Sequence, residues 1–278
     1  MLERLKNLFG TNNNMTFLDH IESLRWHIIR SVLVLCVVTA VMFFYNDFIF
    51  NTILFGPTKP TFITYRALCH LSKVLHLGVD LCMNQVNINL INTVMAGQLM
   101  MSIWGTFIAA LIVTIPYIIW ELWRFIKPAL KDKELKSARG FVAISSLLFL
   151  TGALFSYYII VPWTVTFLSS FRMSGAVVQN FIDVRSYISM VTTLVLWSGV
   201  IFELPVVSYI LTSIGIISPT FLKKYRRHAA VVILVVAALI APPDVASQVI
   251  VSIPLFILFE VSIFVSKYAE RKKRLKTS

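Results

Sequence analysis

The sequence predicts an all-α integral membrane protein with six transmembrane helices, both termini in the cytoplasm and a short last pair of helices. Composition is the first observation: 58% of the 278 residues are hydrophobic and only 14% are charged, unlike ordinary soluble domains. The second is an uncharged run from Thr93 to Trp120, longer than the ~20 apolar residues that cross a bilayer as a helix. The third is the abrupt return of charge after that run. We expect one membrane domain over residues 1–278.

The charged segment after this run sets the orientation of the chain. It is strongly basic and is followed by a second uncharged run from Gly140 to Phe171. Lys and Arg beside a hydrophobic segment resist translocation, so a short basic loop between two spans stays on the cytoplasmic side. The basic residues are Arg124, Lys127, Lys131, Lys133, Lys136 and Arg139.

The first span is predicted from a helix start and a following uncharged run. Thr16 and Asp19 have the spacing of a capping box, and the run from Ser31 to Asn46 carries the helix across the membrane. Residues 47–92 then lose any helical periodicity, and Gly and Pro cluster around Pro57. We expect these residues to form the first outside loop, before the second span returns to the cytoplasm.

The remaining spans alternate with loops. Span three runs from Gly140 to about Val165, a second outside loop covers about 166–186, and span four runs from near Tyr187 to about Ile217. The last two hydrophobic runs, Ala229 to Ala241 and Val249 to Val265, are short. The first of them has 13 residues, about 20 Å of helix against a hydrocarbon core of ~30 Å.

Positive charge supports this topology. Of the 25 Lys and Arg residues, 20 lie in the predicted cytoplasmic segments and 5 in the two outside loops, as the positive-inside rule requires. The net charge of +12 is also compatible with nucleic-acid binding, but the basic residues are dispersed among loops, which favours membrane topology and no nucleic-acid partner. The start of the chain lacks a signal-peptide pattern, so we expect no cleaved leader.

The cysteines and histidines do not predict a metal site. Cys36 lies inside the first span, and the spacing of Cys69, Cys82, His70 and His76 in the first outside loop matches no common metal motif. If that loop faces an oxidising compartment, a disulfide between Cys69 and Cys82 becomes available. The sequence leaves open whether it forms.

Enzyme signatures are absent, and the informative charged groups are carboxylates. The chain has no HExxH, GxSxG, GxxxxGK[ST], GxGxxG or CxxC motif. Glu203 and Glu260 lie inside hydrophobic spans, where an ionised side chain costs ~2.5–3.5 kcal/mol on insertion scales, so each is a candidate functional residue. The alternative is a carboxyl group retained for packing. For the predicted cytoplasmic acids Asp19, Glu22 and Glu134, the alternative is charge balance on a solvated face.

Several segments in order resemble the TatC family, the multispanning receptor subunit of the twin-arginine protein translocase. They are FIKPALKDKE after span two, IFELP in span four, and APPDVASQ followed by IPLFILFE in the last two spans. The resemblance extends from His20 to about Lys267. It implies a glove-shaped, six-helix receptor of the bacterial cytoplasmic membrane that recognises folded proteins with twin-arginine signal peptides. It also implies single-span TatA- and TatB-type partners, homo-oligomerisation within the complex, transport driven by the protonmotive force, and no cofactor.

The resemblance assigns the signal-peptide site to the cytoplasmic face. Glu134 falls on the family position in the first cytoplasmic loop that receives the arginine pair, and Phe125 and Arg25 belong to the same face. The N-terminal motif departs from the family pattern His-Leu-x-Glu-Leu-Arg, because Ser23 stands at the glutamate position. The resemblance therefore leaves Glu22 and Asp19 as substitutes for that carboxylate.

The resemblance assigns a second set of residues to partner helices and assembly. The surface where a partner helix docks includes Glu203 with Pro205 and Gln248 with Glu260. Pro57 falls on a family position in the first outside loop that matters for assembly. Two other classes remain open. A proton- or ion-coupled secondary transporter would use Glu203 and Glu260, although the chain shows no internal repeat. A structural scaffold explains the topology but not the buried acids.

Overall fold

The structure is a computed structural model that describes residues 17–74, 90–126, 140–170, 181–240 and 245–277. The backbone alone is described for residues 17–21, 71, 239–240, 245–247, 250 and 273–277. Most of the predicted basic loop, including Glu134, lies outside the described residues, as does Cys82. The side chain of Asp19 lies outside them too.

Helix α1 spans Phe17–Phe43 and begins where the capping pattern predicts. It packs on α3, and no residue of its membrane-crossing window, Glu22–Phe43, is buried. Most of the apolar surface of α1 therefore faces away from the protein, as expected of a helix at the edge of a membrane bundle.

The described residues of the predicted first outside loop are more ordered than their sequence suggests. A helical turn at Asn46–Phe48 leads into a π-helical segment, Ile49–Leu54, a 3₁₀ turn, Gly56–Thr58, and helix α2, Ile63–Val74. These elements are short and are interrupted by proline, so no periodic pattern extends far enough to predict them. Their order comes from packing: Ile49, Leu54 and Tyr65 belong to the buried core.

The next three spans form the centre of the bundle. Helix α3, Gly97–Ile126, is 30 residues long. The third span joins α4, Phe141–Phe155, and α5, Val161–Ser170, through a π-helical segment, Ser156–Ile160. The fourth span consists of α6, Val184–Phe202, and α7, Leu204–Ile214, which meet at Glu203.

Close contact between α4 and α6 depends on two glycines. A methyl group at Gly152 would lie 2.8 Å from the carbonyl oxygen of Ser198, and one at Gly199 would lie 2.7 Å from the ring of Phe149. Both contacts are too short for real Cβ atoms. The absence of these methyl groups lets the two helices approach and bury Phe149, which is 1% exposed, in the interhelical space.

The last three helices form the other side of the bundle. Helix α8, Pro219–Lys224, is followed by α9, Arg226–Ile240, and α10, Val245–Thr277. Helix α10 packs against α7, α8 and α9. The last span is longer than predicted: its apolar stretch, Val251–Lys272, has 22 residues, as many as that of α1. The helix continues because the basic segment after Val265 is rich in helix-forming Lys, Arg and Glu.

Two short strands connect the predicted outside loops. Strand β1, Leu90–Ile91, pairs in parallel with β2, Ile182–Asp183. The Thr93 hydroxyl donates to the Asp183 carboxylate near this pair, at 3.4 Å. Strands of two residues carry no alternating pattern, so the sequence did not predict them.

The prediction of an all-α membrane protein is confirmed. Five described helical stretches are long and apolar enough to cross a membrane, and α9, with 15 residues, is the short remaining span. The sidedness of the termini stays a prediction. The five stretches are Glu22–Phe43, Gly97–Ile126, Phe141–Ser170, Val184–Ile214 and Val251–Lys272.

Candidate functional site

A buried carboxylate joins α1 to α3 near the predicted cytoplasmic ends of both helices. Glu121 is only 1% exposed, and its Oε2 lies 2.5 Å from Nδ1 of His27 on α1. Its Oε1 accepts hydrogen bonds from the Tyr117 hydroxyl at 3.0 Å and from Nη1 of Arg124 at 3.3 Å. We call these four residues, His27, Tyr117, Glu121 and Arg124, the rim cluster.

The helical repeat brings the rim cluster together. Tyr117, Glu121 and Arg124 lie at i, i+4 and i+7 on α3, so they share one face of that helix. That face packs on α1, which supplies His27. Because both oxygens of the carboxylate have donors, the burial of its charge is compensated.

No residue of the rim cluster was selected as functional from the sequence, except Arg124 as a basic loop residue, although the position of Glu121 in the sequence is informative. Glu121 directly follows the long uncharged run and stands between apolar residues, Trp120 and Leu122. An acid at the end of an apolar span, three residues before an arginine, is a candidate functional residue by the same argument that selected Glu203. The partner His27 carries no such signal, because only the register of the two helices brings it to Glu121.

Of the residues predicted to bind the signal peptide, Phe125 lies beside the rim cluster. Its ring meets the ring of His27 edge-on, with centroids 6.2 Å apart. Glu22 and Arg25 are exposed on α1, and the Arg25 guanidinium lies 5.8 Å from the ring centroid of Trp26. Two charged side chains and the indole of Trp26, which is 51% exposed, therefore lie at the surface of this part of α1.

The two helices that flank residues 127–139 are in contact with each other. Trp123 on α3 stacks on Phe141 at the start of α4, with ring centroids 4.3 Å apart. This contact holds together the two helices that flank residues 127–139. Glu134 itself lies outside the described residues.

Glu203 occupies a break in the fourth span, where α6 ends and α7 begins. The Ser145 hydroxyl of α4 donates a short hydrogen bond to Oε2 of Glu203. The other oxygen, Oε1, is buried and has no hydrogen-bond partner within the part of the chain that the structure describes. Pro205 is buried in the first turn of α7, where its missing amide hydrogen is tolerated.

The other predicted docking residues lie on the last two spans. Glu260 is about half exposed and accepts from Nη2 of Arg226 at 2.5 Å, so it is not an isolated charge among apolar side chains. The side-chain amide of Gln248 donates to the carbonyl oxygen of Leu234 at 3.1 Å, linking α10 to α9. Glu203, Gln248 and Glu260 are therefore held by three different partners.

Pro57 is buried in the predicted outside region. Its carbonyl oxygen accepts from the Tyr65 hydroxyl at 2.8 Å. Burial raises the pKa of the Tyr65 phenol, which keeps the hydroxyl protonated and able to donate. In the same helix as Tyr65, Cys69 is disulfide-bonded, whereas Cys36 is a free thiol; the predicted partner Cys82 lies outside the described residues.

Metal ligands do not gather in the described parts of the chain. No group of three or more His, Cys, Asp or Glu side chains there is placed to hold a metal ion.

Comparison with known proteins identifies the family. The model of the Sec-independent protein translocase protein family, TatC, matches residues 19–254. The chain belongs to the TatC family. It is 40% identical over 262 residues to TatC of Blattabacterium sp. subsp. Periplaneta americana, covering 94% of this chain and 98% of that one. With TatC of Aquifex aeolicus it shares 31% identity over 260 residues, covering 94% and 98%.

A solved structure has the same fold. The crystal structure of the twin-arginine translocase receptor TatC superimposes with a TM-score of 0.70 and 31% identity, covering 90% of this chain and 99% of that one. The TatC resemblance predicted from the sequence is confirmed. This TatC-family chain is a multi-pass membrane protein and a component of a protein translocase, and the family is not one of enzymes.

Proposed function

We propose that this protein is the receptor that recognises twin-arginine signal peptides for the Tat translocase in the bacterial cytoplasmic membrane. The observation that carries the proposal is the likeness of this chain, along 90% of its length, to the crystal structure of the twin-arginine translocase receptor TatC. Family membership favours this interpretation of the intramembrane acids over the ion-coupled transporter that the sequence left open.

The chemistry of recognition follows from carboxylates near the cytoplasmic ends of α1 and α3. A guanidinium presents two parallel N–H groups that match the two oxygens of a carboxylate, whereas a lysine ammonium offers a single point charge. We propose Glu134 as the main acceptor, with Glu22 and Asp19 on α1 contributing. Phe125 would contact the apolar residues of the signal peptide, and Arg25 lies on the same face.

Partner docking is a second part of the proposal. A half-satisfied carboxyl group inside a span is costly unless another polar group reaches it, and Glu203 has an unpartnered oxygen among the described residues. We propose that a single-span TatA- or TatB-type helix docks near Glu203 and Pro205 on one side and Gln248 and Glu260 on the other. Pro57 would support assembly of several copies, and the protonmotive force would drive transport.

Export of a twin-arginine reporter in a strain that lacks its own receptor tests the signal-peptide site. We expect Glu134→Ala to abolish export and Glu22→Ala to weaken it, because each removes a carboxylate available to the arginine pair. Asp47→Ala serves as the matched control, since Asp47 is an exposed acid beyond the other end of α1. Unchanged export in both glutamate variants, at equal protein levels, would remove the site assignment.

Site-specific crosslinking tests the docking surface. A photoreactive residue at position 203 should capture a single-span partner, and one at the exposed position Phe44 serves as the control. Capture at both positions, or at neither, would contradict a docking site centred on Glu203.

A further inference from the structure

We infer that Glu121 is a second arginine-binding carboxylate of the signal-peptide site, and that Arg124 occupies it until the signal peptide arrives. This inference rests on the receptor function proposed above and adds a residue and a resting state to it. The ligand class is a guanidinium on an extended peptide.

The position of Glu121 supplies what α1 lacks. Ser23 and His27 are four residues apart on α1, so their side chains lie on the same face about one turn from each other. His27 lies 2.5 Å from Glu121, which brings the carboxylate of α3 to the face of α1 that carries Ser23, while Glu22 projects in a different direction from the helix. The same His27 meets Phe125, a residue of the proposed signal-peptide site.

The Arg124 side chain lies between Glu121 and solvent, so a ligand reaches the buried carboxylate when Arg124 moves. The side chain of Arg124 is 44% exposed, whereas that of Glu121 is 2% exposed. Arg124 reaches the carboxylate through one nitrogen at 3.3 Å, a longer contact than the ~2.7–2.9 Å typical of charge-assisted hydrogen bonds. A single long contact to a half-exposed side chain is the most easily exchanged of the three interactions.

Exchange of one guanidinium for another avoids the main cost of opening the site. If Arg124 turned away with nothing in its place, Glu121 would be a buried charge with fewer partners, which is strongly unfavourable. An incoming arginine replaces the lost interaction and adds a second N–H if it binds in the bidentate mode. His27 and Tyr117 stay in place and orient the carboxylate throughout.

A purely structural role for the cluster predicts different behaviour. If Glu121 only stabilised the packing of α1 on α3, each residue that hydrogen-bonds to it would contribute to the stability of the folded protein. Removal of Arg124 would then leave peptide binding unchanged or weaker. If Arg124 competes with the peptide, its removal strengthens peptide binding. The two roles therefore differ in the sign of one measured effect.

The experiment measures binding of a fluorescent synthetic peptide to the full chain in lipid nanodiscs. The peptide carries an arginine pair before an apolar stretch, and its twin carries a lysine pair. We expect Glu121→Gln, which keeps the volume and the acceptor oxygen, to weaken binding of the arginine peptide about tenfold. Arg124→Gln should strengthen it about threefold or more, because the internal competitor is gone.

A rescue variant separates binding from folding. Ser23→Glu added to Glu121→Gln returns a carboxylate to the same region from α1, so binding of the arginine peptide should recover. Recovery supports the inference, since a carboxylate on α1 cannot restore the contact between His27 of α1 and Glu121 of α3. Asp47→Asn is the control, and thermal unfolding of each variant shows whether the helices remain assembled.

The outcomes distinguish this inference from the function on which it rests. Equal binding of the arginine and lysine peptides by the unaltered protein would overturn the receptor proposal itself. Clear preference for the arginine peptide, with no loss in Glu121→Gln, would overturn only the role of Glu121. Should Glu121→Gln fail to fold, Arg124→Gln decides: tighter binding supports the exchange, and unchanged or weaker binding overturns it.

Discussion

Glu121 and Glu203 are two carboxylates within the helical bundle that differ in how completely their oxygens are satisfied. Glu121 has donors on both oxygens, from one residue of α1 and two of α3. Glu203 receives a hydrogen bond from Ser145 on one oxygen, while the other is buried without a partner in the described residues. Hydrogen bonds within the chain offset the cost of burying both oxygens of Glu121, but they offset that cost for only one oxygen of Glu203.

The difference separates two uses of a buried acid. A carboxylate with donors on both oxygens is stabilised by its own chain, whereas a buried oxygen without a donor costs free energy until a polar group reaches it. Glu121 lies near the predicted cytoplasmic ends of its helices, where the proposed function has a cationic peptide arrive from water. Glu203 lies at a break inside the fourth span, where another membrane helix would arrive from the lipid.

Removal of the Glu121 side chain should have the largest effect on stability. Glu121→Ala leaves His27 and Arg124 without their common acceptor and opens a space between α1 and α3, at a cost of about 3 kcal/mol. Thermal unfolding in detergent measures it, with Glu203→Ala as the matched comparison because that carboxylate has fewer partners. A larger loss for Glu203→Ala than for Glu121→Ala would reverse the comparison.

Removal of the donor to Glu203 should have an intermediate effect. Ser145→Ala deletes the hydroxyl that binds Oε2 and should cost about 2 kcal/mol, because it leaves a second buried oxygen unpaired. The neighbouring Ser146→Ala is the control: its hydroxyl is buried without a partner among the described residues, so its loss should cost little. Equal destabilisation by the two serine variants in a denaturation series would show that the hydrogen bond to Glu203 contributes nothing.

The exposed acid of the last span should have the smallest effect. Glu260→Ala breaks an ion pair in which both side chains are about half exposed, and such pairs contribute less than about 1 kcal/mol. Thermal unfolding of Glu260→Ala and Arg226→Ala should therefore stay close to the unaltered protein. A loss comparable to that of Glu121→Ala would mean that the bilayer shields this pair far more than its exposure suggests.

Much of the fold is predictable because membrane spans are long. Runs such as Thr93 to Trp120 and Gly140 to Phe171 exceed any loop or soluble helix in apolar length, so they identify spans without tertiary information. The elements between Asn46 and Val74 are short, and their order depends on contacts with distant helices. The two-residue strands also depend on distant contacts, because the paired residues are about 90 positions apart in the chain.

The site was predictable only in part. Glu203 stands out because it interrupts an apolar span, and Glu121 carried a weaker form of the same signal at the edge of its span. What each acid contacts is set by helix register: His27 and Glu121 are 94 residues apart in the chain, and Arg226 and Glu260 are 34 apart. A single sequence without measured contacts does not specify that register.

Export of two matched reporters shows whether the chain recognises arginine in preference to lysine. The unaltered chain is expressed in a strain that lacks its own receptor, together with a folded reporter whose signal peptide carries either two arginines or two lysines. We expect export of the arginine reporter and little or no export of the lysine reporter, because only a guanidinium matches the carboxylates in the bidentate mode. Equal export of both reporters, or failure to export either from a correctly inserted protein, would contradict it.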